Sequence, residues 1–187
     1  MPRPKTRSDA DVLGEAYRLI HEQGPDALTF ASLARACGLS SSTLVQRFGS
    51  KAGLVQGALL HAWDRLDGKT ASLAASVAMT PDGAVELLVG LSGDYGGIEA
   101  YADGLLVLRE DLRDPVLRAR GAAWRDVLCA ALDRRFAEVP AAPPGVGLLL
   151  AAQWQGSLLW WGFDPQGPVE AFVDASLRRF VVALLAR

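Results

Sequence analysis

At 187 residues, 50% of them hydrophobic and 21% charged, the chain can bury a substantial core and has the balance of a folded globular protein. A formal charge of −2 with no run of like charge argues against an acidic or basic tail. Cys37 and Cys129 lie far apart, with no second Cys or His at ligand spacing, which argues against a disulfide framework or a zinc site and leaves them as buried thiols.

Taken in chain order, the sequence predicts helices throughout and no strand. Ser8 with Asp11 reads as a capping box. Val12, Ala16 and Ile20 then line one face of a first helix, with Leu13 and Tyr17 beside them, until Gly24 and Pro25 stop it. Thr29 is an N-cap for a short second helix whose inward residues are Leu33, Ala34 and Cys37. Gly38 breaks that helix, and Ser40 or Ser41 caps a third that ends near Phe48. Ser50 caps a fourth, from Lys51 to about Ala75.

Past the MTPDG punctuation at 79–83, the pattern predicts a helix over 82–93, another from Ile98 to about Leu112, and a third from Pro115, well placed at N1, to about Phe136. The turn-rich VPAAPPG, residues 139–145, precedes a helix over 145–163, and DPQGP leads into a last helix over 168–186. Residues 145–163 carry no charge, but Gln153, Gln155 and Ser157 interrupt them and no Lys or Arg flanks them, so a helix buried against a core or a partner fits better than a membrane span. No signal peptide opens the chain, which gives a cytoplasmic expectation.

Charge is divided unevenly. Residues 1–60 carry seven Lys/Arg and five Asp/Glu, a net +2, and the remainder has a net of −4. The overall acidity therefore leaves a polyanion partner open to the N-terminal part. Within that part, GLSSSTLVQRFGSK, residues 38–51, sets four hydroxyl side chains before a short amphipathic segment. Two short helices joined by a glycine-containing turn form a helix-turn-helix unit, and its second helix enters the DNA major groove. Leu39, Leu44 and Phe48 supply the inward face. Ser41, Ser42, Thr43, Val45, Gln46 and Arg47 are left for the exposed face, where hydroxyls meet phosphates or base edges. Arg47 has the chemistry to pair bidentately with a guanine, a contact worth about 1–3 kcal/mol of discrimination. The plainer alternative is that the hydroxyls only cap a helix and Arg47 is a solvated charge.

Residues 9–63 resemble the DNA-binding domain of the TetR family of bacterial repressors. The resemblance rests on HEQGPDALTF at the end of the first helix and on ASLARACGLSSSTLVQRFGSKAGL, with Thr29, Ala34, Gly38, Ser40, Thr43, Leu44, Phe48, Lys51 and Leu54 at the family's motif positions. It covers about a third of the chain; the rest agrees with the family in helix number and order. The resemblance implies that Thr29, Gln46 and Lys51 hold phosphates while Ser41, Ser42, Thr43, Val45 and Arg47 face bases, with Ser40 in the same DNA-binding set. Two departures stand out. Val45 replaces a usual aromatic and Ser41 a frequent Lys or Arg, so two backbone contacts are missing. Val45 can instead meet a thymine methyl, and anchoring shifts toward Arg3, Lys5 and Arg7.

The expected architecture is all-α, with a helix-turn-helix DNA-binding domain at 1–51 and a helical effector-binding and dimerisation domain at 52–187. In the family, the C-terminal helices bind a small molecule and dimerise. Here the helices at 145–163 and 168–186, with small residues Gly147, Ala151 and Gly156 and with Phe172, Ser176, Arg179, Phe180 and Ala183 at helical spacing, suit a four-helix dimer interface or burial within one subunit. The aromatic-rich C-terminal part, which includes Trp160, Trp161, Tyr95 and Phe163, offers Trp63, Tyr101, Leu105, Arg109, Trp124, Leu128, Trp154 and Ser157 as pocket candidates, with core packing as the alternative for each. Arg109 is either a partner for a ligand carboxylate or half of a surface ion pair. Gly53 and Gly57, one turn apart in the fourth helix, either admit close contact with the first helix or soften the link between domains.

No catalytic constellation is present. His21 and His61 lack an identifiable partner, and DGKT at 67–70 resembles the end of a phosphate loop but has Trp63 where the first glycine belongs. The expected function is a sequence-specific regulator, a repressor released by a small-molecule effector. It is expected to act as a homodimer on an inverted-repeat operator in double-stranded DNA, without enzymatic activity, cofactor or metal and away from the membrane. The rival is a constitutive dimeric DNA-binding protein with no effector.

Overall fold

The computed structural model describes residues 7–93 and 97–186; Arg3, Lys5 and Tyr95 lie outside the described residues. Among those described there is no strand, and the helices are α1 Asp9–Gln23, α2 Phe30–Cys37, α3 Ser41–Phe48, α4 Lys51–Ser76, α5 Pro81–Ser92, α6 Ile98–Arg113, α7 Pro115–Asp133, α8 Val146–Phe163 and α9 Val169–Leu185. Short 3-10 turns occupy Pro25–Ala27 and Arg134–Phe136.

Local chemistry sets these bounds. Ser8 and Asp11 exchange side-chain and backbone hydrogen bonds at the start of α1, and Thr29 and Ser32 do the same for α2. Thr80 accepts from the Gly83 N–H with Pro81 opening α5, and the Asp114 carboxylate accepts from the Val116 and Leu117 N–H groups with Pro115 opening α7. The seventh helix stops at Asp133, three residues short of the expected Phe136, because its last turn tightens into 3-10 geometry. Asp133 in turn accepts from the Gly147 N–H at 2.7 Å, capping α8, whose own N-cap Gly145 has no side chain to offer.

The chain packs as two compact units, Met1–Arg65 with Asp103–Gly121, and Leu66–Ala102 with Ala122–Arg187. The first contains α1, α2 and α3 whole. Its core joins Val12, Ala16 and Ile20 of α1, Leu33 and Cys37 of α2 and Leu44 of α3 to Leu54, Ala58 and Leu59 of α4, Val107 of α6 and Leu117 of α7. Parts of α4, α6 and α7 thus belong to the same core as the three short helices. Gly57 faces α1, where an added Cβ would lie 3.4 Å from Leu13 Cδ2, while one at Gly53 would lie 3.0 Å from the Phe48 carbonyl oxygen.

The second unit buries Leu87, Leu88 and Leu91 of α5, Leu128 and Leu132 of α7, Leu150, Trp154 and Leu158 of α8, and Val169, Val173 and Leu177 of α9. Every tryptophan buried here has its indole N–H satisfied. Trp124 donates to Thr70 Oγ1 at 3.0 Å, Trp154 to Ser92 Oγ at 2.8 Å, and Trp161 to the Gly167 carbonyl at 3.2 Å. The two hydroxyls pass their own protons to the Leu66 and Leu88 carbonyls, so each pair is complete without water. Thr70, in the DGKT stretch, is therefore a helical hydroxyl serving Trp124. No helix among the described residues is long and apolar enough to cross a membrane.

Gly147 lets α8 touch α7. A Cβ there would sit 2.3 Å from the Cys129 carbonyl oxygen, a backbone atom that cannot rotate away. Gly147→Ala is expected to cost about 2 kcal/mol by forcing the helices apart, read as a lowered urea midpoint with an unchanged slope. An unchanged midpoint would show that the two helices separate freely.

Candidate nucleic-acid interface

The turn between α2 and α3 depends on Gly38, whose φ of +67 is left-handed and closes α2 through its N–H to the Ala34 carbonyl. Ser40 follows in extended geometry and its Oγ accepts from the Thr43 N–H, so α3 begins with a fixed first turn. The hydroxyls share hydrogen bonds, Ser40 Oγ lying 2.8 Å from both Ser42 Oγ and Thr43 Oγ1. Ser41 donates to the Phe30 carbonyl at 3.4 Å, a contact back to α2.

Leu44 is fully buried, and Leu39 and Phe48 pack against the same core. Ser41, Ser42, Val45 and Gln46 are exposed and Thr43 is half-buried. Thr29 is exposed but committed to capping α2. Two cations have partners within the unit. Arg47 Nε lies 3.0 Å from Asp9 Oδ1 and its Nη2 donates to the Arg7 carbonyl at 2.8 Å, while Lys51 Nζ donates to the Asp26 carbonyl at 3.2 Å. Asp9 was not among the sequence candidates, and no local pattern marks it as a partner of Arg47. The surface that α3 turns outward is thus hydroxyl, amide and methyl, set on a helix braced at both ends.

The pocket candidates fall into both units. Trp63, Leu105 and Arg109 belong to the first. Trp63 donates to Asp111 Oδ1 at 3.1 Å, Leu105 is exposed, and Arg109 is exposed and paired with Glu110. Tyr101, Trp124, Leu128, Trp154 and Ser157 belong to the second, all buried. Tyr101 stacks edge-on against Trp161, Trp124 lies against Trp154, and Ser157 donates to the Gln153 carbonyl beside Ser176.

Two buried charges escaped the sequence reading. Asp111, beside Trp63, is pushed up to about 6 by burial, with the Asp114 charge adding to the shift and the Trp63 hydrogen bond opposing it. Arg135 is buried, donating to the Ala131 and Ala74 carbonyls at 2.7 Å each. Burial also raises the thiols of Cys37 and Cys129. Among the described residues no group of His, Cys, Asp and Glu could hold a metal ion.

A capped, braced three-helix unit with an outward helix of small polar groups defines the class of helix-turn-helix DNA-binding proteins. Residues 12–58 match the profile of the bacterial regulatory proteins of the tetR family. The HTH-type transcriptional regulator AlkX of Mycobacterium tuberculosis is 48% identical over 67 residues, a match spanning 35% of this chain and 32% of AlkX, about a third of that relative's length. The TetR family transcriptional regulator PfmR from Thermus thermophilus superposes with a TM-score of 0.62 at 25% identity, over 89% of this chain and 97% of PfmR. AibR, solved in complex with isovaleryl coenzyme A and operator DNA, does so with a TM-score of 0.65 at 18% identity, over 90% and 95% of the two chains. Over residues 12–58 the chain is thus similar to the DNA-binding segment of the bacterial regulatory proteins of the tetR family.

Proposed function

We propose that the chain is a homodimeric repressor that binds an inverted-repeat operator through α3 and is released by a small molecule held in its C-terminal part. The DNA-binding work falls to residues 1–51, with Thr29 and Lys51 beside phosphates and Ser40 to Thr43 and Val45 on the groove side. The resemblance would put Gln46 on a phosphate and Arg47 on a base. Arg47, however, is paired with Asp9, and Gln46 is exposed on the outer line of α3, so in this reading Gln46 takes the groove side in place of Arg47. Residues 52–187 supply the effector site and dimer contact. The observation that carries the DNA reading is the outward face of α3, exposed and held rigid by the Ser40 cap and the buried Leu44.

The dimer reading rests on α8. Its outward line, Leu148, Leu159, Trp160 and Phe163, is exposed, with Trp160 and Phe163 at 68% and 75%, and the helix carries no charge. An uncharged helix with apolar side chains on its open face suits a subunit interface. Sedimentation is expected to give twice the 19.9 kDa chain mass, and Leu159→Glu to give a monomer whose operator affinity falls by roughly 10²-fold or more through loss of the second half-site. A wild-type monomer would contradict the proposal.

The effector-free reading keeps one observation in its favour. Trp124, Trp154 and Ser157 are buried with their polar atoms bonded inside their own unit, as in a solid core. Release of bound operator by any member of a metabolite panel, lost in Trp154→Ala while DNA binding survives, supports the gated repressor. A panel that leaves the complex intact supports the constitutive one.

A further inference from the structure

Charged and neutral side chains leave α3 in different directions. At 3.6 residues per turn, Ser42 and Gln46 lie one turn apart on the line opposite the Leu44 and Phe48 face, with Val45 beside them. Arg47, the one charged residue of Ser41–Phe48, sits on the flank next to Leu44. There it reaches back to α1, with Nε on the Asp9 carboxylate and Nη2 on the Arg7 carbonyl, and its side chain is 24% exposed. A bidentate guanine contact needs a guanidinium fork aimed into the groove; this fork is aimed along the first unit's own surface. Gln46 and Val45 are exposed, Val45 at 45%, and no hydrogen bond ties the Gln46 amide among the described residues.

We infer that α3 selects A·T base pairs, with the Gln46 amide bidentate to adenine N6 and N7 and the Val45 methyls against a neighbouring thymine methyl, while Arg47 is a positioning residue that ties α3 to the start of α1 and reads no base. The inference rests on the helix-turn-helix function proposed above and assigns its base chemistry. Glutamine matches the donor and acceptor that adenine alone presents in the major groove, and an apolar branched side chain matches only the thymine methyl. Arg47 and Asp9 act as a pair, so their effect is on the seating of the helix, which every operator feels equally.

The test starts from duplexes that the wild-type full chain selects from a random pool, followed by anisotropy titrations on the selected operator and its single-base-pair substitutions. Gln46→Ala is expected to weaken operator binding roughly ten- to hundred-fold and to abolish the preference for A·T over G·C at one symmetric position. Arg47→Ala and Asp9→Asn are expected to keep every base preference and to weaken all duplexes alike, by about three- to ten-fold. The double variant should be no weaker than either single one, and Asp9→Glu should restore binding. Thermal midpoints within experimental error of wild type separate this from loss of fold. If Arg47→Ala relaxes a G·C position, or Gln46→Ala leaves all preferences intact, the inference is overturned while the regulator reading stands. If the wild-type chain enriches no duplex, both fall together.

Discussion

Arg135→Ala is expected to destabilise the protein by about 3 kcal/mol, a drop in Tm of roughly 10 °C for a chain of this length. The side chain is 2% exposed and donates to two carbonyls, Ala131 in the last turn of α7 and Ala74 in the last turn of α4, while its Nε has no hydrogen-bond partner among the described residues. Both acceptors belong to helix C-termini, where carbonyls lack partners within the helix and the backbone dipoles favour a cation. That explains how a buried guanidinium is tolerated with helix ends in place of a carboxylate. Alanine leaves both carbonyls unbonded and a cavity beside them, two costs that add. Arg135→Lys reaches one carbonyl and should fall between. Urea unfolding checks the order wild type, Lys, Ala; an Ala variant as stable as wild type would show that the guanidinium stabilises nothing.

Asp111→Asn is expected to stabilise the protein at neutral pH by about 2 kcal/mol and to leave it unchanged or weaker near pH 4. The Asp111 carboxyl titrates at about 6 in the fold against an ordinary value of 3.8. Between those values the native state binds more protons than the unfolded chain, so stability falls as pH rises through the window and levels off above it. At about 1.4 kcal/mol per unit, the full window is worth up to about 3 kcal/mol. The Asn side chain keeps an oxygen for the Trp63 indole N–H, now 3.1 Å from Asp111 Oδ1, and removes both the buried charge and its repulsion by Asp114. Asp114 itself is held low, mainly by the Gln56 hydrogen bond. The quantity to measure is the difference in unfolding free energy between wild type and variant from pH 4 to pH 8. A difference that stays flat would contradict the burial of a charged carboxylate at this position.

Helix bounds were readable because they are set locally. Ser8 with Asp11, Thr29, Gly38 and Ser40 act within four residues of themselves, and the periodicity of Val12, Ala16 and Ile20 fixes a face without reference to any partner. What a face meets is a different matter. The sequence offered Arg47 as an exposed cation, but its partner Asp9 lies in another helix, and only the packing of α1 on α3 brings them together. Arg135 and Asp111 sit in the charged runs DRRF and REDLRD. Nothing local shows that their neighbours close over them. Trp124 and Trp154 invited a pocket reading because an aromatic with a polar tip serves equally in a pocket wall and a core. Thr70 and Ser92, more than fifty residues away in each case, supply the hydroxyls that satisfy them. Helix α8 carries no charge and has large apolar side chains on every face, so its sequence does not say which half packs on its own unit. The exposure of Leu148, Leu159 and Phe163 opposite the buried Leu150 and Trp154 makes that division.

Whether α3 reads DNA for a two-fold symmetric regulator, as proposed, is tested most directly by the set of duplexes the wild-type chain recovers from a random pool at moderate salt. One inverted repeat is expected, with half-sites spaced so that the two recognition helices fall about 34–36 Å apart or a multiple of it. Recovery of no enriched sequence, or of a single asymmetric site, would contradict it.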